Sequence, residues 1–304
     1  MLRYLPTLSF FGVLFSSNHA LAQEVKPNWP IPTELRWEPI NGYPMAFRDT
    51  GNGTPIVLVH GSATDYRVWG LQIESLSKNY RLIAVSLRHF YPERWDGVGT
   101  DFSIEQHAQD VAALIKQLNL GKAHLVGHSR GGAVVIEVAK SHPEVIRTLI
   151  LADGSIEMPV AETAETKQAA DFTQKLVGTL QSNLKAGDPN KAAEVFIDML
   201  NAPGFWAANV PQPMKEMVLA NIYTGLGDKS RPLTSCDDVK KFDFPVLLIT
   251  GDKSPKKYEF FYNEMRKCKD DLPRSVVIPN AGHGMLRVNP EAFNKAVLEF
   301  VSRH

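Results

Sequence analysis

Ala123-His-Leu-Val-Gly-His-Ser-Arg-Gly-Gly132 is the stretch on which the fold of this chain turns. A short apolar run, read as a strand, leads into Gly127-His128-Ser129-Arg130-Gly131. The residues from Gly131 to Lys140 then continue as a helix rich in Ala and Val. Strand, G-x-S-x-G turn and helix together define a nucleophile elbow. The requirement is steric. A serine on a sharp, strained turn projects its hydroxyl above a sheet, and glycines two residues away on either side let neighbouring backbone pass close by. The first N–H groups of the following helix point at the same spot. Ser129 is the candidate nucleophile, and His128 is read as the variable residue of the motif.

Outward from the elbow, strand and helix patterns alternate. Residues 55–59 and 81–85 read as buried strands, and 123–126, 145–152, 245–249 and 276–278 as further strands of the same sheet. Ile104, Ala108, Val111, Ala112, Ile115 and Leu118 recur at helical spacing, and residues 292–300 read as a closing helix. Met45 to Arg48 is a short strand candidate. Residues 28–39, with Pro30, Pro32 and Pro39, read as an extended lead-in. The expected fold class is α/β, with a mostly parallel central sheet and helices on both faces. Residues 155–235 hold no buried strand and read as a helical lid inserted between two parts of the core, 23–154 and 236–304.

A serine hydroxyl needs a base to take its proton, and histidine suits that role near neutral pH. His283, in Asn280-Ala-Gly-His-Gly284 after the last strand, is the candidate. The other histidines lie in helices, in strands before the elbow, or at the ends of the chain. His60-Gly61-Ser62-Ala63 closes the first central strand. The backbone N–H of Ser62, or of Ala63 as second choice, and that of Arg130 can form an oxyanion hole. His60 is read as a structural residue that fixes this loop.

On Val57-Leu-Val-His-Gly-Ser62, Gly127-His-Ser-Arg-Gly-Gly132 and Ala281-Gly-His283, the chain resembles the α/β-hydrolase superfamily from Met45 to Phe300. Asn289-Pro290-Glu291 is a further familiar stretch. The resemblance implies a triad in the chain order nucleophile, acid, histidine. It departs from the usual pattern at the acid. The expected Gly-x-x-Asp is Gly251-Asp252-Lys253-Ser254 here, so Ser254 occupies the usual position. Asp153, at the end of the preceding strand, is the first choice for the acid, and Asp252 is the alternative.

Tyr66 and Trp69, just past the oxyanion loop, and Trp206 in the insertion are expected at the substrate. Phe172, Phe196, Phe205, Met214, Met217 and Tyr223 either line a pocket or pack the insertion onto the core. The expected activity is cleavage of an ester, lactone or related acyl bond of a small, largely apolar substrate, without metal or organic cofactor. Three other readings are open: a cofactor-free haloperoxidase or perhydrolase, a carbon–carbon bond hydrolase, and a ligand-binding module on the same fold. Epoxide hydrolases and dehalogenases of this kind place an aspartate where Ser129 stands.

The chain has 304 residues, 33 basic and 33 acidic, and formal net charge +0. That balance gives no clustered basic face for nucleic acid. Arg3, the apolar run from Leu5 to Phe15 and Ala20-Leu-Ala22 read as a signal peptide, residues 1–22, cleaved after Ala22. A periplasmic or secreted protein without a stable membrane anchor is expected. Its two cysteines, Cys236 and Cys268, then either form a disulfide or stay as buried thiols.

Overall fold

A computed structural model describes residues 32–227 and 231–304. The expected signal peptide, residues 1–22, lies outside the described residues. The central sheet has eight strands: β1 (Leu35–Ile40), β2 (Tyr43–Thr50), β3 (Pro55–Val59), β4 (Arg81–Val85), β5 (Ala123–His128), β6 (Ile146–Ala152), β7 (Val246–Gly251) and β8 (Val276–Ile278). Their spatial order is β1-β2-β4-β3-β5-β6-β7-β8. β1 and β2 pair antiparallel with each other, and β2 pairs antiparallel with β4. All later neighbours are parallel.

One part of the lead-in is corrected. Leu35 to Ile40 is a strand, joined to β2 by Asn41-Gly42 with φ of 48° and 76°. Two consecutive left-handed residues make the tight turn that asparagine and glycine favour in hairpins. Pro39 is tolerated because β1 is an edge strand, where a missing N–H costs no ladder bond.

The parallel strands β3 to β7 are buried on both faces, while the edge strand β8 leaves Val276 and Val277 exposed. Val57 and Val59 enter one apolar cluster, and Ile56 and Leu58 enter the other. Leu149 and Leu151 are likewise divided from Ile150 and Ala152. This two-sided burial is why these strands read as unbroken apolar runs instead of alternating ones.

Between β6 and β7 lie the helices Ala164–Lys185, Pro189–Leu200, Phe205–Asn209 and Gln212–Asn221. Thr163 caps the first through a reciprocal capping box, and Asp188 caps the second with Pro189 at its first position. They have a core of their own, in which Leu176, Leu180, Phe196, Leu200, Val218 and Ile222 pack together. A disulfide joins Cys236 to Cys268, so the bridged alternative is the one formed. It closes a loop of sequence separation 32, which the chain-entropy relation values at about 3–4 kcal/mol. No helix among the described residues is long and apolar enough to cross a membrane.

Candidate active site

Ser129 stands between β5 and the helix Arg130–Ser141 with φ 54° and ψ −120°. A non-glycine residue held there carries strain of about 1–3 kcal/mol, which the surroundings must impose. They do so through the backbone. The Ser129 N–H donates to the Ala152 carbonyl at 3.0 Å, and its own carbonyl accepts from Gly132 and Ser155, both at 2.9 Å. Gly131 is required because a Cβ there would collide with the Val59 carbonyl. Gly61 is required because a Cβ there would lie 2.9 Å from the Ser129 Cβ. The loop that carries Gly61 and Ser62 is thus pressed against the turn at Ser129.

His60 fixes that loop from beneath. Its Nε2 accepts from the Leu87 N–H at 3.1 Å, so Nδ1 carries the proton and donates to the Gly61 carbonyl at 2.8 Å. Burial lowers its pKa to about 4, which keeps it neutral. The Arg130 side chain turns away from the elbow, with its guanidinium 3.1 Å from His107 Nδ1 and over the Phe102 ring. That leaves the Arg130 backbone N–H, at the first position of the helix, beside Ser129.

His283 and Asp153 meet across 130 residues of sequence. His283 Nδ1 lies 3.0 Å from Asp153 Oδ2. Asp153 follows the last residue of β6 in a left-handed conformation, φ 42°, and accepts from the Thr250 hydroxyl at 2.8 Å and the Ser254 hydroxyl at 2.6 Å. Ser254, in the usual acid position, therefore hydrogen-bonds Asp153 instead of meeting the imidazole itself. Asp252 does not face the imidazole. Its exposed carboxylate accepts from the Asn280 and Ala281 N–H groups at 2.8 and 2.9 Å and clasps the histidine loop. Those two bonds hold its pKa below the usual carboxylate value.

The His283 ring is held from two sides. Tyr258 stacks on it at 4.8 Å with the planes 10° apart, and the His128 ring lies at 4.7 Å. His128 Nε2 also donates to the His283 carbonyl at 2.8 Å. Sequence reasoning passed over both residues. His128 is more than a variable residue of the motif, since it ties the elbow to the histidine loop. Tyr258 has no local signature, because its role exists only once β7 and β8 are paired.

Burial drives both members of the pair away from charge. It pushes the Asp153 carboxyl up, to about 7, against the pull of the Ser254 and Thr250 hydroxyls. It pushes the His283 imidazole down, to about 3, and the Lys257 ammonium adds to that effect. Above neutral pH the imidazole is neutral and the charge rests on Asp153. Lys257 is buried, donates to the Thr173 hydroxyl at 3.0 Å, and is itself lowered to about 8, chiefly by burial.

Lys257 lowers the pKa of both Asp153 and His283. Removing its charge makes protonation of the pair easier. Lys257→Met therefore moves the acid limb of the kcat/KM profile to higher pH, by about half a unit. A pH–rate profile of the two proteins checks this, and a limb that stays in place or moves down contradicts it.

Ser129 and His283 open onto one cavity of about 430 Å3. Its walls are mostly apolar and include Val68, Ile197, Leu200, Phe205, Met214 and Leu286, with Ser62, His128, Asn201 and Arg287 among the polar groups. Asn201 also accepts from the Gly284 N–H at 3.3 Å, linking the helical insertion to the histidine loop. Phe205 and Met214 are the aromatic and sulfur residues of the insertion that reach the cavity, while Phe196 and Met217 are buried in packing.

Three expected substrate residues are not at the cavity. Tyr66 is buried, with its hydroxyl donating to Glu34 at 3.1 Å. Trp69 is wholly buried and packs near Phe293. The two sit three apart in a 3₁₀ helix, Tyr66–Trp69, where such residues eclipse and share one face. That face turns inward, and Val68 on another face meets the cavity instead. Trp206 packs on the core of the insertion, with Lys215 over its ring. Among the described residues, no group of three His, Cys, Asp or Glu side chains is gathered in a way that could hold a metal ion.

Residues 56–296 match the family model described as the alpha/beta hydrolase family. The chain belongs to this family. It is 26% identical to the 2-(acetamidomethylene)succinate hydrolase of Mesorhizobium japonicum, over 84% of this chain and 90% of that protein. It is 28% identical to the non-heme chloroperoxidase of Streptomyces lividans, covering 86% and 97% of the two chains. Among solved structures it is similar to a thermophilic esterase from Thermogutta terrifontis, with a TM-score of 0.69 and 24% identity over 88% and 98% of the two chains. As a member of the alpha/beta hydrolase family the chain is an enzyme of hydrolase type.

Proposed function

We propose that this alpha/beta hydrolase is a serine hydrolase that cleaves an ester, lactone or related acyl bond of a small, largely apolar substrate. The observation that carries the reading is the 3.0 Å contact between His283 Nδ1 and Asp153, made beside a strained Ser129 on the same cavity.

Neutral His283 takes the Ser129 proton as Oγ attacks the substrate carbonyl, and Asp153 stabilises the imidazolium that forms. The backbone N–H groups of Ser62 and Arg130 hold the oxyanion. His283 returns the proton to the leaving oxygen, leaving an acyl group on Ser129. Water, activated by the same imidazole, then releases the acid. The helical insertion acts as a lid that walls the cavity.

Stopped-flow mixing with p-nitrophenyl acetate tests this. A p-nitrophenol burst near one equivalent is expected, together with an acetylated Ser129 peptide on acid quench. A linear trace with no acylated peptide would overturn the reading. The resemblance to a chloroperoxidase supports a second reading, peroxide-dependent halogenation or perhydrolysis at the same residues. Its mark is turnover that requires peroxide. Export to an oxidising compartment is proposed as well, supported by the leader pattern of residues 1–22 and the Cys236–Cys268 bridge.

A further inference from the structure

The cavity that holds Ser129 and His283 is lined by one arginine, Arg287, and by no Asp, Glu or Lys. Arg287 lies four residues after His283 in the short helix Met285–Val288. It is partly buried, and it lines the cavity together with apolar residues such as Leu286 and Val210. Its guanidinium makes no hydrogen bond or ion pair among the described residues. Other arginines of this chain are treated differently. Arg67 forks onto Asp65, Arg81 onto Asp49 and Arg88 onto Asp110.

A cation taken partly out of water without a partner is a cost to the free protein. Burial is the one influence on Arg287, and it works against the charge. An anion entering the cavity would offset that cost. The planar guanidinium fork matches a carboxylate through two parallel hydrogen bonds. One fixed cation balances one negative charge. A phosphate dianion would leave a second charge unpaired against apolar walls.

We propose that Arg287 is a specificity-determining residue that binds a free carboxylate of the substrate. The substrate class is then a small ester or lactone whose acyl part carries a second, ionised carboxyl group. This deepens the serine-hydrolase reading and rests on it, since the ester is placed at Ser129 while the carboxylate is placed at Arg287.

The test separates binding from turnover. Calorimetric titration of Ser129→Ala uses the monomethyl esters of succinate, glutarate and adipate, each against its neutral dimethyl ester. At least one monoester is expected to bind about tenfold to a hundredfold more tightly than its dimethyl partner. Arg287→Met in that background is expected to bring the ratio to about one. Arg287→Lys keeps part of it, because it retains the charge and loses the fork. A wild-type preference in kcat/KM for p-nitrophenyl hydrogen adipate over p-nitrophenyl hexanoate is expected to collapse in Arg287→Met.

No preference for any of the three monoesters, or a preference that survives Arg287→Met, overturns the proposal. Carboxylate binding that depends on Arg287 without any ester turnover overturns the hydrolase reading alone. Ester turnover with no carboxylate preference overturns the Arg287 site alone.

Discussion

Ser129→Ala is expected to lower kcat on short-chain p-nitrophenyl esters by about 10⁴- to 10⁶-fold. The substitution removes the hydroxyl proposed to form the acyl-enzyme and leaves the rest of the site standing. The turn at Ser129 is held by a backbone bond to the Ala152 carbonyl and by bonds from the Gly132 and Ser155 N–H groups, none of which uses the hydroxyl. The strained φ of 54° is imposed on alanine as on serine, so the fold is preserved. A thermal midpoint within a few degrees of wild type is therefore part of the expectation. Residual turnover is expected to come from the oxyanion donors and the cavity, which act without the nucleophile. A variant that keeps a tenth or more of wild-type turnover, with its thermal midpoint preserved, removes the acyl-enzyme mechanism. A variant that loses activity and stability together shows instead that the hydroxyl supports the elbow.

The strand-to-helix turn at Ser129 and the loops that carry His60-Gly61-Ser62 and His283 were legible in the sequence for one reason. Each is a short motif whose residues are adjacent in the chain and whose shape is set by local sterics. The strands β3 to β7 were legible because two-sided burial writes an apolar run that no solvent-facing strand shows. The Asn41-Gly42 hairpin was not read, because Pro39 beside its turn suggests an extended segment where the edge strand β1 lies. Roles that depend on which loop lands beside which were not readable. Tyr258, Lys257 and Ser254 belong to one stretch of chain, and their relation to His283 and Asp153 is set by the pairing of β6, β7 and β8. The placement of Tyr66 and Trp69 failed at a finer level. Proximity to the oxyanion loop was visible, but the inward turn of their shared helical face follows from packing against Phe293 and Glu34.

Asp153→Asn is expected to lower kcat by about 10⁴-fold, and Asp252→Asn by no more than about tenfold. The difference follows from what each carboxylate touches. Asp153 is wholly buried and its Oδ2 meets His283 Nδ1. Asparagine can present an N–H there, which selects the wrong imidazole tautomer and cannot stabilise the imidazolium. Asp252 is exposed and accepts from two backbone N–H groups of the histidine loop. Its amide keeps one acceptor, so the loop loosens while the triad persists. The Ser254 hydroxyl, 2.6 Å from Asp153 Oδ2, adds a sharper arm. A carboxylate at position 254 would start from the atom that touches Asp153 Oδ2, itself the partner of His283 Nδ1, so Asp153→Asn combined with Ser254→Asp is expected to recover at least about tenfold over Asp153→Asn alone. Equal and large losses in the two single variants would mean that His283 takes its orientation from the loop clasp. A large loss in Asp252→Asn with little change in Asp153→Asn would move the acid to Asp252. Recovery in the double variant would show that the imidazole needs a carboxylate in that corner and accepts it from either strand end. The usual position and the one used here would then be two solutions to one electrostatic requirement.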